Sequence, residues 1–505
     1  MAGTPLNEKM LNCKLRNVVF LLTYLSLALT AKPKVDVKKS LVFGPALEPN
    51  IVLPVRYFYI QLVDTKGKNL TSSPGKENLK VEYSSSAGRV RLWPDLLDRN
   101  DGSFIVRFRI MNTYNDLKIS VKWKDQHIAK SPYQLKAAIY HEQCNCPETN
   151  IEKWLEDMKC PKSFPEIERG FANFKSINLK RLRMEGFKRY DSGAVCHYSL
   201  IDGRLYRKCP GSITDFKMFV DAFMLSVLRK VKLPDAEFFT NLGDWPLEKN
   251  LSDPLPILSW CGSDETADIV WPTYDVTQSI LEALGRQTLD MMSVQANTGP
   301  KWKKKIAKAF FRGRDSRQER LDLVVMGRKK TDLFDVALSN FFFFPYDEKK
   351  YGAKNTVSFF DFFKYKYQIN IDGTVAAYRF PYLLIGDSVV FKQDSPYYEH
   401  FYKDLKPWEH YIPFKRDLSD LEKQLIWAKS NDKEARKISE AGRTYARNNL
   451  MPESIYCYTV LMFQEYAKRQ KQNPKYHKDM ELVDQPSDAD SRCECYKVPK
   501  GKDEL

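Results

Sequence analysis

Three clusters in this sequence hold side chains whose types and spacing could act on a charged ligand. The first is Asp372-Gly373-Thr374, followed by Arg379. A glycine turn at the C-terminal end of a strand, running into a helix, aims backbone N–H groups and the helix dipole at an anion. Arg379 adds a planar partner for a phosphate. An ordinary strand-to-helix turn is the competing explanation. The second cluster runs from Phe310 to Arg320, with Arg312, Arg314, Arg317 and Arg320 around Gly313. Such a set would hold a diphosphate without a metal, and a solvated basic loop is the alternative. The third is Asp244, in Gly243-Asp244-Trp245-Pro246. A carboxylate at the C-terminal edge of a strand stands where open α/β sheets place their ligands, although a turn aspartate capping the backbone accounts for it as well.

No spacing suggests a bound metal. His197, His400, His410 and His477 stand far apart in sequence, without ligand spacing. The one Asp-x-Asp triplet, Asp488-Ala-Asp490, lies in a polar tail. No metal and no separate cofactor are therefore expected, with arginines and a helix N-terminus in their place. The cysteines form two CxC pairs, Cys144/Cys146 and Cys493/Cys495, and no CxxC. Zinc-ribbon and thioredoxin chemistry find no support in that pattern.

The elements that must carry these groups read in two styles. In residues 103–110, Phe104, Val106, Phe108 and Ile110 alternate with Ser103, Ile105, Arg107 and Arg109. In residues 117–124, Leu117, Ile119, Val121 and Trp123 alternate with polar neighbours. Period two over eight residues predicts half-buried antiparallel strands. With a strand over 56–63 and turns at Asp64–Gly67 and Asn100–Gly102, this predicts a β-sandwich. After Cys144-Asn-Cys146-Pro147 the pattern changes. Helices are predicted over 215–231 (Thr214 as N-cap), 374–385, 421–429 (Ser419 and Glu422 as capping box) and 433–448. Strands are predicted over 236–242, 255–260, 321–326, 365–371 and 388–392. Such alternation predicts α/β architecture with parallel sheets, and the length suits two Rossmann-like lobes with a cleft between them. Pro381 would kink the helix at 374–385.

The ends of the chain speak to compartment. Lys9, Lys14 and Arg16 precede an apolar run over 18–31, the pattern of a cleavable signal peptide. The run is shorter than the roughly 20 residues of a membrane span. The last residues, Lys502-Asp503-Glu504-Leu505, are a KDEL retention address. A luminal protein of the endoplasmic reticulum is expected, met by the KDEL receptor. Ten cysteines suit that oxidising compartment, as do the sequons at Asn69 and Asn250. The net charge of +16 is spread along the chain. It fits a basic cleft for a phosphorylated small molecule or acidic protein substrates better than nucleic acid.

Two resemblances sharpen this. Gly44-Pro45, Asp101-Gly102-Ser103-Phe104 and the run from Val121 to Leu135 (VKWKDQHIAKSPYQL) resemble a filamin-type immunoglobulin-like repeat, which implies a binding or spacing module. From about residue 144 to 466 the chain resembles the Rumi-like protein O-glucosyltransferases of glycosyltransferase family 90. The matching blocks are Arg204-Leu-Tyr-Arg207, Asn241-Leu-Gly-Asp244, Val270-Trp-Pro-Thr-Tyr274, Phe311-Arg-Gly-Arg314 through Glu319-Arg320, Tyr365-Lys-Tyr367, Gly373 to Phe380 and Leu405 to Pro413. With the N-terminal module and the KDEL ending, the chain resembles the KDEL-bearing branch of that family.

The resemblance implies a GT-B fold and an inverting transfer of glucose from UDP-glucose to serine in folded EGF-like repeats. Notch-type receptors and fibrillin-type matrix proteins would be the acceptors. It implies Asp244 as the base. Tyr274, Arg312, Arg314, Arg320, Thr374, Ala376, Ala377, Tyr378 and Arg379 would hold the UDP-sugar. Arg314 stands where the family's first members have serine. The family pattern also implies the disulfides Cys144–Cys457, Cys146–Cys160 and Cys196–Cys209. The expected organisation is a signal peptide (1–31), the module (32–138), an acceptor-side lobe (139–300), a nucleotide-sugar lobe with C-terminal helices (301–470) and a polar tail (471–505). A xylosyltransferase using UDP-xylose, and a non-catalytic luminal binding protein or chaperone, are the alternatives.

Overall fold

The computed structural model describes residues 34–190, 193–486, 493 and 495. The leader at 1–31, the Asp-x-Asp at 488–490 and the terminal KDEL lie outside them. No helix among the described residues is long and apolar enough to cross a membrane.

Eight strands build the N-terminal sandwich: β1 (Leu41–Phe43), β2 (Arg56–Gln61), β3 (Leu79–Ser84), β4 (Leu92–Asp98), β5 (Ser103–Ile110), β6 (Lys118–Trp123), β7 (Gln126–His127) and β8 (Tyr133–Gln134). One sheet has the order β1-β2-β5-β4; the other joins β3, β6 and β7, with β8 also on β6. On β6 the pleat sorts residues as the alternation requires, with Ile119, Val121 and Trp123 buried and Lys118, Ser120 and Lys122 half-buried. Strand β5 is buried on both faces. Phe104, Val106 and Phe108 fill the sandwich, while Ile105, with Tyr57 of β2, joins the core of the next domain. Polar contacts fasten the same face. Arg107 pairs with Asp290 at 2.9 Å, Arg99 donates to Gln295 at 3.0 Å, and the Tyr57 hydroxyl meets Glu453 at 2.6 Å. The module is thus packed face-on against the rest of the chain.

Helices α1 (Ile151–Asp157), α2 (Pro165–Phe171) and α3 (Leu179–Arg189) lead into the first lobe. Its strands are β9 (Val195–Ile201), β10 (Arg204–Lys208), β11 (Ala236–Asn241), β12 (Ile257–Ser259), β13 (Gly262–Ser263) and β14 (Ile269–Val270). Helix α4 (Lys217–Leu228) lies between β10 and β11, and α5 (Tyr274–Glu282) and α6 (Met291–Ala296) follow. The sheet is mixed. β11, β12 and β14 are parallel, whereas β9 runs antiparallel to both β10 and β11, so the expectation of parallel sheets holds for half of it. Helix α4 starts at Lys217 with no side-chain cap, so Thr214 does not serve as its N-cap.

The five-stranded sheet of the second lobe is wholly parallel. Strand β15 (Ile306–Arg314), helix α7 (Gln318–Lys329), β16 (Phe334–Asn340), β17 (Tyr365–Asn370), helix α8 (Phe380–Ile385), β18 (Val389–Gln393), β19 (Tyr397–Tyr398) and β20 (Ile412–Phe414) follow in sequence. The sheet order is β16-β15-β17-β18-β20. The order reverses between β15 and β17, and such a reversal opens a crevice at the carboxyl ends of those strands. Three expectations are corrected here. Residues 321–326 belong to helix α7, not to a strand, because Leu321 and Val324 bury one helical face. The helix expected over 374–385 begins only at Phe380, with Pro381 in its first turn, where a missing N–H costs nothing and no kink results. The basic stretch at 310–320 is the end of β15 and the start of α7 rather than a loop.

Helices α9 (Leu421–Ser430), α10 (Asp432–Asn449) and α11 (Pro452–Arg469) close the chain with strand β21 (Glu481–Val483). Ser419 donates to Asp417 and no capping box forms at α9. Helix α11 returns to the first lobe, where Phe463 meets Phe238 and the Tyr458 hydroxyl donates to Val270 O at 2.6 Å. Strand β21 adds to the edge of the first sheet beside β10. The C-terminal helices are therefore shared between lobes, and part of the expected polar tail is sheet.

The disulfides are Cys144–Cys493, Cys146–Cys495, Cys160–Cys457 and Cys196–Cys209. Two expected pairings, Cys144–Cys457 and Cys146–Cys160, are thus corrected. Cys160 follows α1 and meets Cys457 on α11, which rests on the first lobe. The two CxC segments then pair with each other, their equal spacing matching cysteine to cysteine. Cys196–Cys209 closes the β9–β10 hairpin.

Candidate functional site

A cavity of about 570 Å³ lies between the lobes, at the carboxyl ends of β11, β15 and β17. Its volume falls in the range of small-ligand pockets, about 300–1,000 Å³. Asp244, Tyr274, Arg312, Arg314, Arg320, Thr374, Ala376, Ala377, Tyr378 and Arg379 all line it. The structure brings these ten residues, drawn from both lobes, onto one surface.

Asp244 sits in the turn after β11, half-buried. Asn241, the last residue of that strand, fixes the turn from both sides. Its Oδ1 accepts from Gly243 N–H at 2.8 Å and its Nδ2 donates to Trp245 O at 2.7 Å. Burial raises the pKa of the Asp244 carboxyl above its ordinary value, and the Arg314 charge opposes that rise. Tyr274 opens α5, its ring enclosed by Phe216, Phe219 and Trp260 at centroid distances of 4.9, 5.3 and 4.8 Å.

The four arginines lining the cavity divide by partner. Arg312 is turned inward and held through both terminal nitrogens. It pairs with Asp335 at 2.7 Å and donates to the carbonyls of Phe311 and Asp335. Burial alone would raise the pKa of Asp335, but hydrogen bonds from Tyr365 and Arg312 prevail and lower it to about 2. Arg320 is a staple for the backbone, donating to Asp372 O, Ile371 O and Arg314 O. It thereby holds the Gly373 loop to α7, and a Cβ on Gly373 would meet its Nη2 at 3.1 Å. Arg379 and Arg314 are left for a ligand. Among the described residues Arg379 donates one hydrogen bond, from Nη1 to Arg312 O at 2.6 Å. Its guanidinium lies against Gly313, where a Cβ would come within 3.2 Å of Nη2. The Arg314 guanidinium makes no hydrogen bond or ion pair among the described residues and lies over the Phe342 ring, 5.5 Å from its centroid. Burial lowers the pKa of Arg379 to about 10, and burial with the nearby Arg379 charge lowers Arg320 to about 9. Positive charge is crowded here with few counter-charges, which favours a polyanionic ligand. The six-residue helix α8 starts seven residues after Gly373, so the cavity meets loop backbone where a helix N-terminus was expected.

Several lining residues escaped the sequence reading. Asp275 is one position beyond the Val270–Tyr274 block. Burial raises its pKa to about 6, opposed by Arg379. Phe343 and Val357 expose apolar surface at the rim. Asp315, inside the basic cluster, carries no ligand chemistry: it accepts the N–H groups of Phe342, Phe343 and Phe344 and anchors that rim. Among the described residues no group of three or more metal-ligating side chains comes together. His197 stacks on Phe239 and His400 is fully packed.

Comparisons with known proteins place the chain among relatives. The model of the family described as glycosyl transferase family 90 matches residues 155–496, and the filamin/ABP280 repeat model matches residues 34–134. The chain is 54% identical to protein O-glucosyltransferase 2 of Danio rerio over 472 residues, covering 92% of this chain and 94% of that one. It is 50% identical to protein O-glucosyltransferase 3 of Homo sapiens over 482 residues, covering 93% and 95%. Human protein O-glucosyltransferase 1 is 32% identical over 346 residues, covering 66% of this chain and 86% of that one.

Proposed function

This chain belongs to glycosyl transferase family 90, and on that premise we propose that it transfers glucose from UDP-glucose to a serine hydroxyl in folded EGF-like repeats. The acceptors would be extracellular proteins of the Notch-receptor and fibrillin types. The two α/β lobes are read as a GT-B architecture, the first facing the acceptor and the second holding the nucleotide sugar. One observation carries the reading: a single cavity joins a half-buried carboxylate of raised pKa, Asp244, to the guanidinium groups of Arg314 and of Arg379, the latter giving one hydrogen bond to the backbone.

The chemistry follows from those groups. The serine oxygen attacks C1 of glucose as the bond from C1 to the diphosphate oxygen breaks, with inversion at C1. Asp244 takes the serine proton in the same step, a contribution of about 10²–10⁴-fold for a placed base. The departing UDP carries the bonding electron pair, and Arg379 with Arg314 meets that charge. These cations take the part a divalent ion would otherwise play, so no metal is required. Tyr274 walls the sugar, and backbone of residues 374–377 faces the nucleotide. Arg312 and Arg320 shape the site from behind. Exposed Phe343 lines the opening and exposed Trp245 follows Asp244 in its turn, and both suit an apolar patch on a folded acceptor. The four disulfides fit the oxidising lumen of the endoplasmic reticulum.

The test uses the full chain, a folded EGF-like repeat, the same repeat reduced and alkylated, and a panel of UDP-sugars with and without EDTA. We expect transfer from UDP-glucose to the folded repeat, unaffected by EDTA and nearly absent on the alkylated one. Comparable rates on both acceptors, or preference for UDP-xylose, would overturn the corresponding part.

A further inference from the structure

The main-chain carbonyl of Asp244 accepts two side-chain hydrogen bonds from opposite sides of the cleft. The Tyr378 hydroxyl, on the second lobe's loop between β17 and α8, donates at 3.2 Å. The Cys261 thiol, on the first lobe just before β13, donates at 3.0 Å. Cys261 is the one unpaired cysteine among the described residues, and it is fully buried. Val375 and Ala376 of the same loop pack directly on it. Beside it the lobes are joined by backbone, with β13 pairing antiparallel with β19, Gly262 opposite Tyr398 and Ser263 opposite Tyr397. A Cβ on Gly262 would collide with the Tyr398 ring.

From this geometry we propose that Tyr378 and Cys261 form a latch that positions the base from the donor-binding loop. Tyr378 immediately precedes Arg379, so the residue that holds the carbonyl of Asp244 is covalently next to the residue that meets the diphosphate. Asn241 and Cys261 fix the turn from within the first lobe, and Tyr378 ties it to the second. The carboxylate is then aligned when residues 373–379 are in their ligand-holding conformation. Misplacing a reacting group by about 1 Å can cost about 10²-fold in rate, so a base on a three-residue turn gains from a second anchor. Tyr378 and Cys261 are positioning residues, since neither touches a reacting atom in this role. The inference rests on Asp244 being the base.

The experiment compares Tyr378→Phe, Cys261→Ala, Cys261→Ser and the Tyr378→Phe/Cys261→Ala double variant, with Asp244→Asn alongside. Rates are normalised to the number of UDP-binding sites, which removes any misfolded fraction. Tyr378→Phe should lower kcat about 5–10-fold, the loss expected for one anchoring hydrogen bond, with the KM for UDP-glucose changed less than twofold. Cys261→Ser keeps a donor and should retain most of kcat, whereas Cys261→Ala should not. Because both donors share one acceptor, the double variant should lose more than the product of the single losses. Wild-type kcat in the double variant, or a loss confined to donor KM, would overturn the latch. If Asp244→Asn stays active, the base assignment fails instead, and the two failures are told apart.

Discussion

Arg107 offers the sharpest test of how the N-terminal module serves the transferase. Its guanidinium bridges Asp95 on β4 and Asp290 ahead of α6, and the side chains of Arg107 and Asp290 are only 8% and 4% exposed. Removing one partner of such a buried pair leaves the other charge stranded, at about 3–5 kcal/mol. Asp290 keeps three donors after Arg107→Ala, namely the N–H groups of Met292 and Ser293 and the Ser293 hydroxyl. The lower end of that range, about 3 kcal/mol, is therefore expected. Asp290→Asn in the same chain removes the stranded charge yet keeps a carbonyl oxygen for the cap, so the double variant should recover about half of the loss. Leu289, next in the chain, lines the donor cavity, so UDP affinity should fall along with stability. The assay is urea unfolding followed by intrinsic fluorescence and by UDP binding. A loss below about 0.5 kcal/mol for Arg107→Ala, the range of an ordinary surface change, would refute the view that this face supports the catalytic domain.

Two further predictions concern the cavity. Transfer should fall on the acid side as Asp244 gains its proton, with a limb above the ordinary aspartate value of about 3.9 because burial raises the folded pKa. Asp244→Asn should abolish transfer while UDP still binds, which a transfer assay beside a UDP-binding titration checks; Arg314→Gln should move the limb to higher pH, since the Arg314 charge holds that pKa down, as its pH–rate profile against the wild type would show. Arg379→Ala should cost about 10²–10³-fold in kcat/KM, the scale for losing one charge-stabilising group. Arg312→Ala, which takes one of three partners from Asp335 and leaves it Tyr365 and Lys354, should act mainly on stability, as steady-state kinetics beside thermal melts would show.

Much of the sandwich was legible because its strands alternate in residue type with a period of two. On β5 the period of two located Ser103–Ile110 to the residue, yet the same strand hides its second role. Ile105 and Arg107 read as the outward face, and only the packing shows that this face meets another domain. In the α/β region the short apolar run at 321–326 fits either period, and burial of Leu321 and Val324 on one helical face decided for α7. Strand β15 escaped notice because its arginines suggested solvent. Its apolar middle is buried between two parallel neighbours while the arginines emerge at its end.

The site was legible as a set of residues but not as a set of roles. Side-chain type told which groups could meet a phosphate, and the structure gathers all of them but Arg317 around one cavity; Arg317 lies instead near Asp372, at 3.7 Å, and over the Tyr397 ring. Partners then divide them, and partners are long-range facts. Asp335 lies 23 residues beyond Arg312 and claims it. The carbonyls of Ile371 and Asp372 lie more than fifty residues beyond Arg320 and claim that one. An arginine saturated by carbonyls braces the loops, while one with free N–H groups can meet a ligand, and no spacing within the basic cluster separates the two. The crevice between β15 and β17 is where the two kinds meet. Arg312 and Arg320 brace its walls, and Arg379 and Arg314 face the cavity without a direct ion pair to any described residue. A diphosphate entering there would complete the charge balance that the fold leaves open.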